Sequence, residues 1–157
     1  MHARIPTIIL AVGCLVAFVG CTSYRREFRS AVREAGGQYE GVYGPWEGEW
    51  RSAPSGHHGP LWCLIGRAGE GADEQLEFRY RAGWGKVLRG NFTQRTAVDP
   101  VPGRPGAFVV QGSKDLGVLG GLYTIEGTVD PDRFDARFTS TKGDRGTMGL
   151  RRPDGRR

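Results

Sequence analysis

The sequence predicts an all-β protein, a small eight-stranded antiparallel up-and-down barrel preceded by a short amphipathic helix. Two observations carry that prediction. From residue 41 onward, turn signals recur about every ten residues, the spacing of a sandwich or barrel. The runs between them alternate apolar and polar residues, the period of a half-buried strand. Eight such strands must stack as two sheets or close on themselves. Closure removes exposed edges, and no later helix is long enough to cover an open sheet.

The chain opens with a different chemistry. MHAR is followed by IPTIILAVGCLVAFVG, an uncharged apolar run of 16 residues at 5–20. A basic start and a short apolar segment are the layout of a signal peptide, and the run is brief for a membrane span. It ends in FVGC at 18–21, where small Gly20 before Cys21 resembles the bacterial lipobox. Phe18 stands where that motif usually has leucine. The resemblance implies that residues 1–20 are a signal peptide and that Cys21 is acylated, by palmitate or a similar chain, as the mature N-terminus. The other reading is an ordinary cleaved signal or an uncleaved anchor. Thr22 is not the aspartate that retains many such lipoproteins at the inner membrane, so the expected site is the outer membrane of the cell envelope, facing the periplasm. With Cys14 in the signal and Cys21 acylated, Cys63 stands alone and no internal disulfide forms.

Residues 21–40 read as a tether with a short helix. Tyr24, Phe28, Ala31, Val32 and Ala35 fall on one helical face, Ser23 is a candidate N-cap, and Gly36-Gly37 is a stop. Arg25, Arg26, Arg29 and Arg33 lie on one flank, Glu27 and Glu34 on the other. Two placements are open: the helix lies on an anionic membrane surface, or its apolar face caps one end of the following domain. About thirteen residues is marginal for an isolated helix, so something must support it.

The barrel is expected over 41–152, with 153–157 as a basic tail. The expected strands are GPWEGEWRS, PLWCLIGR, EQLEFRYRA, KVLRGNFTQ, AFVVQG, GLYTIEGTV, RFDARFTST and GTMGLRR. Glycines inside them, at 48, 66, 90, 112, 127 and 149, suit tight bends or small neighbours of large rings. The whole chain is +5, yet residues 41–150 hold 13 Lys+Arg and 13 Asp+Glu, a net of zero. A nucleic-acid binder carries its basic patch on the folded domain, so a nucleic-acid partner is not expected.

Gly48-Glu49-Trp50 in the first strand and Arg151-Arg152 after the last resemble the calycin superfamily of lipocalins, fatty-acid-binding proteins and avidins. There, a tryptophan packs near an arginine at the closed barrel end. Gly44-Pro45-Trp46 is a competing G-x-W. Four further blocks resemble a group of uncharacterised exported bacterial lipoproteins: Trp46 to Trp50, GHHGPLWC at 56–63, DLGVLGGLY at 115–123 and GTMGLRR at 146–152. They span the barrel and imply its boundaries, without implying an activity.

Residues able to carry catalysis are sparse. His57 and His58 are adjacent in a Gly-flanked turn and diverge, with no thiol set to complete a zinc site. Cys63 lies in an apolar run, where thiols are usually packing. DLGVLGG is not followed by a helix that could bind a phosphate, and reads as a loop with Asp115 bonding local amides. No enzyme, metal or cofactor is expected. Nine rings are expected inside: Trp46, Trp50, Phe78, Tyr80, Phe92, Phe108, Tyr123, Phe134 and Phe138. If they interdigitate, the domain is a rigid scaffold or protein-interaction module; if several stand back, Trp46, Trp50, Tyr80, Tyr123 and Phe138 line a pocket for a small hydrophobic ligand.

Overall fold

The computed structural model describes residues 23–69, 75–85 and 88–155. The expected signal peptide and Cys21 lie outside the described residues. A helix, α1, covers 23–35. Nine strands follow: β1 (Gly44–Ser52), β2 (His58–Ala68), β3 (Gln75–Trp84), β4 (Leu88–Thr96), β5 (Val98–Pro100), β6 (Phe108–Asp115), β7 (Leu122–Val129), β8 (Arg133–Ser140) and β9 (Arg145–Arg151). A single helical turn, α2 (Gly117–Gly120), stands between β6 and β7.

All eight expected strands form, and the count is corrected to nine. The added β5 is a three-residue piece hidden in the Pro/Gly-rich link, where Val98 and Asp99 still pair with Val110 and Val109. Only Ala97 separates it from β4, so β4 and β5 act as one strand bent at that residue. Every pairing is antiparallel, in the order β4-β3-β2-β1-β9-β8-β7-β6-β5. The first and last long strands pair from Glu47↔Arg151 to Ser52↔Gly146, which turns the meander back on itself. Closure is nearly complete. Where β4 meets β6 no ladder forms; instead Thr96 Oγ1 donates to the Gln111 carbonyl, and the Gln94 amide packs over Gly112.

The interior follows from strand alternation. Trp46, Trp50, Phe78, Tyr80, Phe134 and Phe138 are buried in one core, with Phe92, Phe108 and Tyr123 packed against it, so all nine expected rings take part. Neighbouring rings interlock at ordinary aromatic spacings: Trp46 meets Phe134 edge-on at 6.3 Å, and Tyr80 stacks on Phe92 at 4.8 Å.

The two barrel ends differ. At the end where β1 begins, the Arg152 guanidinium lies 3.8 Å above the Trp46 ring. It also donates to the carbonyls of Gly41, Tyr43, Pro45 and Pro131. The G-x-W that meets the arginine is therefore Gly44-Pro45-Trp46, not Gly48-Glu49-Trp50. The chain beyond β9 belongs to this end too, since Pro153 is buried and its carbonyl accepts from Tyr39 Oη at 2.6 Å.

Helix α1 takes a third placement, neither free nor an end cap. Its Tyr24, Phe28 and Val32 cover Leu64 and Trp62 on the outer wall of β2. Tyr24 Oη donates to the Arg79 carbonyl at 3.0 Å, and Glu27 pairs with Arg79 at 2.6 Å. This apolar contact supports a helix too short to persist alone. The arginine flank faces away, and Arg25, Arg26, Arg29 and Arg33 are all exposed.

Closure needs bare positions on both strands, Gly48 on β1 and Gly146 on β9. A Cβ on Gly48 would lie 2.0 Å from the Gly149 carbonyl oxygen across the β1–β9 pairing. Gly48→Ala is expected to destabilise the barrel by about 1–3 kcal/mol, because β9 must shift to admit the methyl. Gly149→Ala is the matched control, since its Cβ would meet only Asp135 Oδ1 at 3.5 Å. Urea unfolding followed by tryptophan emission checks both: a Gly48→Ala midpoint equal to that of Gly149→Ala would contradict the account.

Candidate functional site

The barrel end where β1 finishes holds a cavity of ≈ 60 Å³. Trp50 from β1, Trp84 from β3, Phe92 from β4 and Phe138 from β8 supply aromatic walls, with Leu61, Ile125 and Met148 between them. Lys114, Tyr123 and Asp144 are the polar members of the lining.

Local sequence explains how each wall is set. Trp50 points inward by alternation, and its Nε1 donates to the Gly83 carbonyl at 3.0 Å. Gly59 makes room for that bond, because a Cβ there would stand 1.9 Å from the same carbonyl oxygen. Trp84 lies 5.7 Å from Trp50, and its ring occupies the space that a side chain at Gly90 would fill. Tyr123 and Phe138 face each other at 5.8 Å.

The polar members form a latch. Asp144 accepts from Ser52 Oγ at 2.6 Å and from Tyr123 Oη at 3.0 Å. Its Oδ1 also accepts the backbone N–H of Arg145 at 2.9 Å. One carboxylate so ties the end of β1 to β7 and to the start of β9. Burial, then the bond to Asp144, pushes the Tyr123 phenol above its ordinary range, so it stays protonated as a donor. Lys114 is exposed at the rim.

Of the five residues expected to line a pocket, Trp50, Tyr123 and Phe138 do so. Trp46 and Tyr80 do not: Trp46 sits under Arg152 at the other end, and Tyr80 lies in the ring stack behind Phe92. The sequence reading passed over Trp84, Lys114 and Asp144. Trp84 continues the inward series 76, 78, 80, 82, and that alternation was the available signal. Asp144 sits in a turn, where no periodicity marks its direction.

The remaining candidates separate in space. His57 and His58 are exposed at the β1–β2 turn, whereas Cys63 is fully buried opposite Trp46 in the β1–β2 pairing. Burial pushes the Cys63 thiol well up, which disfavours the thiolate. Asp115 Oδ1 accepts the Gly117 amide at 2.7 Å, the local bond expected of it. Among the described residues, no group of three or more His, Cys, Asp or Glu is placed to hold a metal ion.

Two interior side chains carry polar atoms without hydrogen-bond partners among the described residues: Tyr80 Oη and the amide of Gln94. Tyr80→Phe removes such a group without changing the packing. It is expected to raise stability by about 1 kcal/mol, readable as a higher urea midpoint. A midpoint lowered by that amount would show that the hydroxyl is bonded.

The pH response has a definite sign. Burial raises the Cys63 thiol and the phenols of Tyr24, Tyr39, Tyr80 and Tyr123, so the folded chain holds these protons more tightly than the unfolded one. Their contribution is complete below the unfolded values. It is lost as pH rises past roughly 8.5 for the thiol and about 10 for the phenols. Unfolding midpoints measured from about pH 8 to about 10, below the range in which Arg152 adds the opposite slope, should fall with increasing pH; a rising midpoint would contradict the assignment. No protein-family model, curated protein or solved structure matches this chain, so its function is read from the geometry of this site.

Proposed function

We propose that this chain is a non-catalytic cell-envelope lipoprotein, anchored through an acylated Cys21 at the outer membrane and facing the periplasm, whose barrel is a rigid interaction module. The observation that carries the reading is the filled interior. Trp46, Phe78, Tyr80 and Phe134 have none of their surface exposed, and their rings interlock across the barrel. The space left, ≈ 60 Å³, is far below the roughly 300–1,000 Å³ of an ordinary small-molecule site. It is also below the roughly 150 Å³ that holds a benzene ring in an engineered core. Helix α1 and the Arg152 cluster stiffen the wall and one end. The resemblance to calycins gains support from the Arg152–Trp46 stack at the closed end.

A second reading, a carrier of a small hydrophobic ligand, is favoured by one observation: the residual cavity is walled by five aromatic rings. Native mass spectrometry of residues 22–157 separates the two. This chain keeps α1, whose removal would strip Leu64 and Trp62. The expected result is a bare mass, before and after incubation with envelope lipid extract. A reproducible added mass, lost on denaturation and lost in Trp50→Ala, would instead establish the carrier.

A further inference from the structure

Three large apolar side chains are exposed among the described residues: Val109, Val118 and Leu122. Two of them share one place. Val118 is 90% exposed on α2, and Leu122, 43% exposed, opens β7 directly after it. The segment they bracket is held as a tight loop: the Leu116 amide donates to the Gly121 carbonyl, and Ser140 Oγ donates to the Gly120 carbonyl. Val118 is therefore held at the cavity end, which neighbouring Leu116 lines. Val118 and Leu122 together make a small exposed apolar spot at this end.

The charges around it are mostly basic. Lys114 lies on the cavity rim, and the stem of Lys142 packs against the α2 loop at Gly121. Arg145 begins β9 at the same end, and Arg89 lies near the start of β4 with its Nη1 toward the Gly85 carbonyl. The acidic groups here are engaged locally, Asp144 in its latch and Asp115 on the Gly117 amide. The opposite end is mixed, with Arg104 paired to Asp130.

We infer that the cavity end of the barrel is a membrane-docking face, with Val118 and Leu122 entering the acyl boundary of an anionic phospholipid bilayer and Lys114, Lys142, Arg145 and Arg89 lying on its headgroups. An apolar tip inside a basic ring fits that partner by both hydrophobic burial and charge. The face goes beyond the interaction-module reading, because it names a partner surface and fixes how the barrel stands on it. It does not depend on acylation of Cys21. The Trp46 end, locked by Arg152, then points away from the bilayer.

Cosedimentation with vesicles tests this, using residues 22–157, which contain every contact described above. Binding is expected to phosphatidylglycerol-containing vesicles and not to phosphatidylcholine vesicles, and to weaken with salt. Val118→Asp should lower the partition coefficient at least about tenfold, and Lys142→Glu about fivefold or more. Val109→Asp, on the far half of β6, should leave binding unchanged. Unchanged thermal melts establish that these surface variants fold. The inference is overturned by absence of binding to phosphatidylglycerol vesicles at low salt, or by wild-type binding of Val118→Asp. Loss of binding in Arg25→Glu/Arg29→Glu with Val118→Asp unaffected would also overturn it, placing the membrane on the flank of α1.

Discussion

Closure through β1 is the constraint on which the rest of the structure depends. β1 pairs with β2 on one side and β9 on the other, so a meander of hairpins becomes a ring. The alternation in GPWEGEWRS then has a physical purpose at each site. Trp46 and Trp50 point inward and fill opposite halves of the interior, while Gly48 between them lets β9 approach closely enough to pair. Any side chain at 48 forces a choice between the ladder and the packing. The two tryptophans thus flank a position that must remain bare.

Closure on the other side is looser, and that looseness locates the cavity. β5 pairs with β6, but β4 beside it does not, so the barrel opens from Gln94 and Gly112 toward Phe92 and Lys114. Ring packing is dense where both neighbouring ladders exist, around Trp46, Phe78 and Phe134. It thins where the ladder is missing. The cavity is a consequence of the unpaired seam, with Asp144 as the carboxylate that keeps β1, β7 and β9 together at that end.

The sequence displayed the architecture well because strand alternation has a period of two and needs no tertiary knowledge. All eight long strands and all nine inward rings were legible in that pattern. Three things were not. β5 is too short to show a period and ends in proline. The choice between Gly44-Pro45-Trp46 and Gly48-Glu49-Trp50 as the arginine's partner depends on register, which fixes which tryptophan lies at the end of the barrel. The seat of α1 depends on Trp62 and Leu64, outward-facing apolar residues of β2 that read locally as part of a continuous apolar run. Of the pocket residues, Trp50, Tyr123 and Phe138 were found and Trp46 and Tyr80 misplaced. Alternation tells inside from outside and says nothing of height along the barrel axis.

That height is where the functional asymmetry lies. At one end, Arg152 gathers four backbone carbonyls over Trp46; burial lowers its pKa to about 10, so it remains charged at neutral pH. A guanidinium so engaged, under Tyr39 and the returning chain, closes that end to any partner that needs a deep surface. At the other end, a carboxylate latch leaves a shallow aromatic cavity beneath a loop tipped by an exposed valine. A rigid body with one sealed and one adhesive end has a preferred orientation against any apolar, anionic surface. The sealed Trp46 and the exposed Val118 thus lie at opposite ends of one barrel, and that asymmetry sets which end can meet an apolar, anionic surface.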